Sequence, residues 1–130
     1  MESRESLCGR KLVQVALTCR DLGRARTFYH ETLGLPLLFE AGNMLFFQLE
    51  GIRLMVGKEE NPGMPIGGSV LYFDAPDIDA TGAALQAAGI EFLGPAETVQ
   101  RTETHDLKLR AFRDPDGNAL ALMGSVPKRT

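Results

Sequence analysis

Residues 12–34 read LVQVALTCRDLGRARTFYHETLG, and the fold follows from how this stretch divides. Residues 12–19 are rich in β-formers and alternate: Val13, Val15 and Leu17 fall on one side, Gln14, Ala16 and Thr18 on the other. Asp21 then offers a side-chain cap for a helix. Leu22, Ala25, Phe28, Tyr29 and Leu33 recur at helical spacing, and Gly34 supplies the stop. Arg24, Arg26, His30 and Glu31 fall on the opposite, wet side, which makes His30 a surface residue. Strand-like runs follow at 35–39, 44–49 and 52–56, with Glu50-Gly51 as a tight turn between the last two. The order is strand, helix, three strands.

That order recurs downstream. Residues 69–73 read as a strand, and Pro76 with Asp77 opens a helix that carries Ile78, Thr81, Leu85 and Ala88 and stops at Gly89. A short strand at 90–93, a polar loop at 94–106 and a strand at 107–112 come next. The turn Asp114-Pro115-Asp116-Gly117-Asn118 returns the chain into a strand at 119–123, and residues 125–130 read as a frayed tail. Turn-formers and charges at 57–68 read as a linker. A shift of 55 residues places Gly34 on Gly89, Gln14 on Ser69, Val15 on Val70 and Leu37-Leu38 on Phe92-Leu93. Gly51 and Gly117 lie 66 apart, which the longer loop of the second half explains. Each half is marginal in size alone, so the two are expected to share a core within one domain. That domain covers residues 12–124, as modules 12–57 and 68–124.

Composition narrows the class. A 44% hydrophobic, 24% charged chain of 130 residues is a folding chain and excludes global disorder. A net charge of −3 argues against nucleic acid or an anionic membrane as partner. No apolar run approaches the roughly 20 residues of a membrane helix, and residues 1–12 do not read as a secretory signal. Cys8 and Cys19 make no disulfide framework, so reduced thiols in a cytoplasmic protein are expected. A G-x-S-x-G nucleophile motif is missing, and the glycines at 63–68 lack the strand-before, helix-after setting of a phosphate cradle.

The tandem pattern, with RDLGRARTFYHETLGL at 20–35 and FRDPDGNALAL at 112–122, resembles the vicinal oxygen chelate superfamily. That group holds glyoxalase I, bleomycin resistance proteins and extradiol ring-cleaving dioxygenases. The resemblance implies an α+β fold: paired βαβββ modules forming a cupped mixed β-sheet, helices on the convex face, and a homodimer. Metal-dependent members place ligands on the first and last strand of each module, positions that fall here on Gln14, Met55, Ser69 and Ala121. A neutral amide, a soft thioether, a hydroxyl and a methyl bring neither negative charge nor imidazole. A one-residue slip to Leu54 or Val56 changes nothing, so no metal cofactor is expected.

With metal set aside, the cup is expected to be lined by Gln14, Ala16, Arg53 and Met55 of the first module. The second contributes Ser69, Leu71, Phe73, Ala121 and Met123, with His105 at the edge. An inward Arg53 calls for a carboxylate or a planar acidic ligand. His105 is the candidate for acid–base catalysis, and Glu103 shares its face if that stretch is extended. His105-Asp106-Leu107-Lys108 is similar to the HDLW-like segment of one subgroup, with Lys108 in place of the aromatic residue. The preferred expectation is a metal-free module that binds a small apolar or aromatic organic molecule. The alternative is a glyoxalase-like lyase or isomerase, or a ring-cleaving dioxygenase. It uses His105, or a relocated divalent metal held by Gln14, Glu103 and His105. A weaker third reading, a regulatory partner protein, predicts an exposed apolar patch beyond the dimer seam.

Overall fold

Both helices begin where an aspartate can satisfy their first free N–H groups. Asp21 accepts the Arg24 N–H at 2.9 Å, and Asp77 accepts that of Ala80 at 3.1 Å. The bond from the Arg24 backbone holds the Asp21 carboxyl below the usual carboxylate range. Around these caps the computed structural model describes residues 8–9, 11–59 and 69–128. The first module runs β1 (Gln14–Cys19), α1 (Leu22–Arg26) with a wider π-helical turn over Thr27–Thr32, then β2 (Leu37–Ala41), β3 (Met44–Leu49) and β4 (Ile52–Lys58). In the second, β5 (Val70–Asp74) leads to α2 (Ile78–Ala87), β6 (Glu97–Arg101), β7 (His105–Arg113) and β8 (Ala119–Pro127).

The paired βαβββ modules make two four-stranded mixed sheets, ordered β1-β4-β3-β2 and β5-β8-β7-β6. In each, the first strand lies parallel to the last and the remaining pairs are antiparallel. No ladder joins the sheets among the described residues, so β1 and β5 are both edges. The modules meet through side chains instead. One apolar cluster joins Leu17, Cys19, Tyr29, Phe47, Leu54 and Val56 of the first to Ala75, Ile78, Phe112, Leu120 and Leu122 of the second. The connection from β5 to α2 runs so close over β8 that position 124 requires glycine, since a Cβ there would lie 2.2 Å from the Ala75 carbonyl oxygen.

Several boundaries differ from expectation. The polar stretch 94–106 contains β6, because pairing with β7 satisfies its backbone whatever its composition. The expected strand at 90–93 is a single bridge from Phe92 to Phe112. The expected tail is partly strand: Ser125, Val126 and Pro127 pair with Leu107, Asp106 and His105. Of the expected linker, residues 57 and 58 belong to β4, and residues 60–68 lie outside the described residues.

The repeat register also needs correction, and the π turn is the reason. The caps Asp21 and Asp77 are 56 residues apart, and so are the core-facing Cys19 and Ala75, whereas Gly34 and Gly89 are 55 apart. The first helix therefore carries one extra residue. A π turn accommodates it: the Leu33 N–H donates to the Phe28 carbonyl, five residues back, at 2.9 Å. Gln14 corresponds to Val70, not to Ser69. Val15 and Leu17 correspond to Leu71 and Phe73.

A buried polar cluster bolts the β7–β8 turn to the first module. Asp114 Oδ1 accepts the N–H groups of Asp116 and Asn118 at 2.9 and 2.8 Å, which shapes the turn. Asp114 Oδ2 accepts the Tyr29 hydroxyl and the Asn118 amide, each at 2.7 Å. Asn118 also donates to the Thr18 carbonyl at 3.0 Å, and Asp116 accepts the Arg20 N–H at 2.9 Å and an Arg24 Nη2 at 3.0 Å. Burial, then the charge of Asp114, pushes the Tyr29 hydroxyl far above its usual range. Burial, then Asp116, pushes the Cys19 thiol up to about 11, which keeps it protonated and inert.

Candidate functional site

Strand pairing decides which side chains share a face, because paired residues point the same way. In the first module Gln14 pairs with Arg53 and Ala16 with Met55, while Arg53 and Met55 pair across to Gln48 and Phe46. Gln14, Ala16, Arg53 and Met55 are thus brought together on the face turned away from the core. Phe46 stacks on Phe39 with ring centroids 4.4 Å apart and planes at 19°. The Arg53 guanidinium carbon lies 5.7 Å from one centroid and 5.8 Å from the other.

The second module divides its expected site residues. Ala121 and Met123 pair with Tyr72 and Asp74, and these four share the face that corresponds to the Arg53 face. Leu71 and Phe73 pair with Leu120 and Leu122 and pack against the core, so they do not line that face. The 56-residue register turns them over; the 55-residue one placed them outward. Ser69 precedes β5 and is exposed, and the equivalent of Gln14 is the hydrocarbon side chain of Val70.

His105 opens β7 at the tip of the β6–β7 hairpin. Its Nδ1 lies 2.9 Å from the Thr104 hydroxyl, and its backbone N–H donates to Thr102 Oγ1 at 2.9 Å. Glu103 sits in the bend between Thr102 and His105 rather than on an extended strand, so the two do not alternate onto one face as the extended reading required. Among the described residues, no group of three or more His, Cys, Asp or Glu could hold a metal ion. At the four positions where metal-dependent relatives carry ligands, this chain presents Gln14, Met55, Val70 and Ala121. One amide oxygen, one thioether and two hydrocarbons do not fit a divalent cation.

Two cavities border Arg53. One, of about 270 Å³, is an apolar slot in the seam between the modules, lined by Val15, Leu49 and Leu54 from the first and Leu71 and Phe73 from the second. The other, of about 320 Å³, is lined by Gln14, Gln48 and Arg53 beside Val13, Gly51 and Ile52. Leu71 and Phe73 therefore belong to a pocket, though through the core side. Phe39, Phe46 and Gln48 were not singled out in the sequence. Hairpin register from Glu50-Gly51 sets Phe46 opposite Met55, a signal that was available. Phe39 was hidden by the irregular pairing between Leu37 and Phe39, which breaks alternation.

A family model, described as the Glyoxalase/Bleomycin resistance protein/Dioxygenase superfamily, matches residues 11–122. The chain belongs to this superfamily. No curated protein sequence matches it. Among solved structures it is similar to TnmS3, an antibiotic-binding protein from a Streptomyces species, at 27% identity and TM-score 0.70, covering 88% of this chain and 94% of that one. It is also similar to a glyoxalase family protein from Enterococcus faecalis (25% identity, TM-score 0.73, 89% and 98% covered). A superfamily member from Sphaerobacter thermophilus shares the fold at 24% identity and TM-score 0.72, with 91% and 99% covered. Within the superfamily, the DPDGN turn of this chain is a buried clamp between modules as well as a hairpin turn.

Proposed function

We propose that this superfamily member binds a small apolar or aromatic organic molecule without a metal ion. The observation that carries the reading is the donor chemistry at Gln14, Met55, Val70 and Ala121, which offers no charge and no imidazole. An apolar slot beside one guanidinium is the usual make-up of a small-molecule site. Similarity to an antibiotic-binding protein supports the same direction. The pocket residues are Gln14, Ala16, Arg53 and Met55 with Phe39 and Phe46, and Leu71 and Phe73 in the seam. The enzymatic alternative centred on His105 has less support, because its ring nitrogen faces Thr104 at a hairpin tip.

The working unit is a homodimer. Val13, Val70 and Tyr72 on the β1 and β5 sides are 67%, 44% and 52% exposed, and a second copy covers them. No helix of the described residues is long and apolar enough to cross a membrane. The buried free thiol of Cys19 is in keeping with the reducing cytoplasm. Elemental analysis of the purified chain, with thermal-shift screening against aromatic acids and planar antibiotics, tests the reading. Metal far below one ion per chain is expected, with melting shifts that a chelator leaves unchanged. Stoichiometric Zn, Ni, Mn or Fe that is lost on His105→Ala overturns it.

A further inference from the structure

Arg53 stands apart from the other arginines whose contacts define the fold. Arg24 pairs with Asp116, Arg26 with Glu40, and Arg110 donates to the Gly94 carbonyl while lying 4.1 Å over the Phe92 ring. Arg53 is half-buried, yet among the described residues no carboxylate or carbonyl accepts from its guanidinium; its neighbours are the faces of Phe39 and Phe46. Two aromatic faces fix the orientation of a guanidinium but leave its N–H fork without an acceptor. A partly desolvated fork of this kind is completed by a planar anion, which it can receive through two parallel bonds.

The surroundings narrow the ligand further. Gln14 is the in-register neighbour of Arg53 on the adjacent parallel strand, about 4.8 Å away in backbone terms, and its amide likewise has no partner among the described residues. Gln48, on the other flank, is already spent: its Nε2 donates to the carbonyls of Leu49 at 2.7 Å and Ile52 at 3.4 Å. The polar end of the site is thus one guanidinium and one free amide, enough for a single carboxylate and too little charge for a phosphate or a dianion. On its other side Arg53 borders the apolar slot of about 270 Å³ between the modules, lined by Val15, Leu49, Leu54, Leu71 and Phe73, where the Tyr72 phenol is the one other polar side-chain group and carries no charge.

We infer that the ligand is a small monocarboxylate with an aromatic body: Arg53 and Gln14 receive the carboxylate, and the ring enters the slot between the modules. This rests on the small-molecule reading above and adds the ligand's charge and the residue that selects it. Arg53 acts on specificity. It excludes neutral analogues, which leave the fork unpaired once the slot is filled, and cationic ones, which it repels.

Titration calorimetry of the full chain with 2-naphthoate and 2-naphthamide is the test, repeated on Arg53→Gln and Arg53→Lys. The acid is expected to bind at least about tenfold more tightly than the amide at 50 mM salt, with the preference shrinking at 500 mM. Arg53→Gln should erase that preference and leave amide affinity within about twofold, while Arg53→Lys keeps charge without the fork and retains part of it. A melting temperature unchanged in both variants separates loss of recognition from loss of fold. Equal binding of acid and amide by the unaltered chain, or a preference that survives Arg53→Gln, overturns the assignment of Arg53 and leaves the small-molecule reading standing. Failure of both compounds to bind at millimolar concentration overturns the two together.

Discussion

The two modules have the same strand order and helix cap, yet their outward faces differ in what stands at the centre. The first presents Arg53, Phe39 and Phe46 with Gln14 and Met55. The corresponding face of the second has Ala111, Ala119 and Ala121 at its centre, with Tyr72, Asp74 and Arg113 around them and no stacked aromatic pair beside the arginine. In exchange, the second module's turn carries the buried groups that hold the halves together, Asp114, Asp116 and Asn118, where the first has only the tight Glu50-Gly51 turn. The two halves are not interchangeable: the stacked phenylalanines beside a guanidinium lie on one repeat, and the buried carboxylates of the clamp on the other.

The comparison breaks first at the clamp. Asp114→Ala leaves the Tyr29 hydroxyl, the Asn118 amide and two turn N–H groups without their acceptor. Urea denaturation should register a loss of about 3–5 kcal/mol; a loss below about 1 kcal/mol would mean that apolar packing alone holds the modules. A smaller, pH-dependent effect sharpens the role of Cys19. Its thiol titrates near 9 when exposed and near 11 when buried beside Asp116. A raised folded-state value means that its contribution is complete below about pH 9 and is lost as the pH rises to about 11. Stability should fall by about 1–3 kcal/mol across that window on account of the thiol, and Cys19→Ala should flatten the profile between about pH 9 and 10, above which the buried Tyr29 hydroxyl adds a fall of its own. The smallest effect belongs to the solvent side of the first module. Glu40→Gln removes the exposed partner of Arg26 and should cost no more than about 0.5 kcal/mol. A larger cost would give this solvent-side pair a cohesive role of its own.

Much of the fold was legible in the sequence for physical reasons. Asp21, Asp77, Gly34 and Gly89 mark helix ends through capping chemistry that is local, and residues 44–49 form a strand whose bounds follow from hairpin turns on both sides. Pairing with distant partners was not legible. The composition of residues 97–101 gives no sign of a strand, and only β7 makes them one. The π turn was equally silent, since one extra residue in an amphipathic helix leaves the apolar stripe almost intact. Its effect falls elsewhere, on whether Leu71 and Phe73 face the core. For the candidate site, Gln14, Ala16, Arg53 and Met55 follow from alternation within one uninterrupted strand pair. Phe39 required knowledge of an irregular ladder, and the role of Asp114 required knowledge of a contact with Tyr29, 85 residues away.

The clamp also sets a timetable for synthesis. Its bonds join positions 85 to 100 residues apart, from Tyr29 to Asp114 and from Thr18 to Asn118. As the chain leaves the ribosome, the first repeat is complete while the side of its sheet that the second repeat will cover still faces water. The hydroxyl of Tyr29 waits there for an acceptor that has not yet been translated. Release of the closing turn and of β8 behind it, which fills the gap between β5 and β7 and brings Leu120 and Leu122 to the core, is then the step that ends this exposure. The nascent chain is most open to aggregation, and most in need of a chaperone, in the interval just before it.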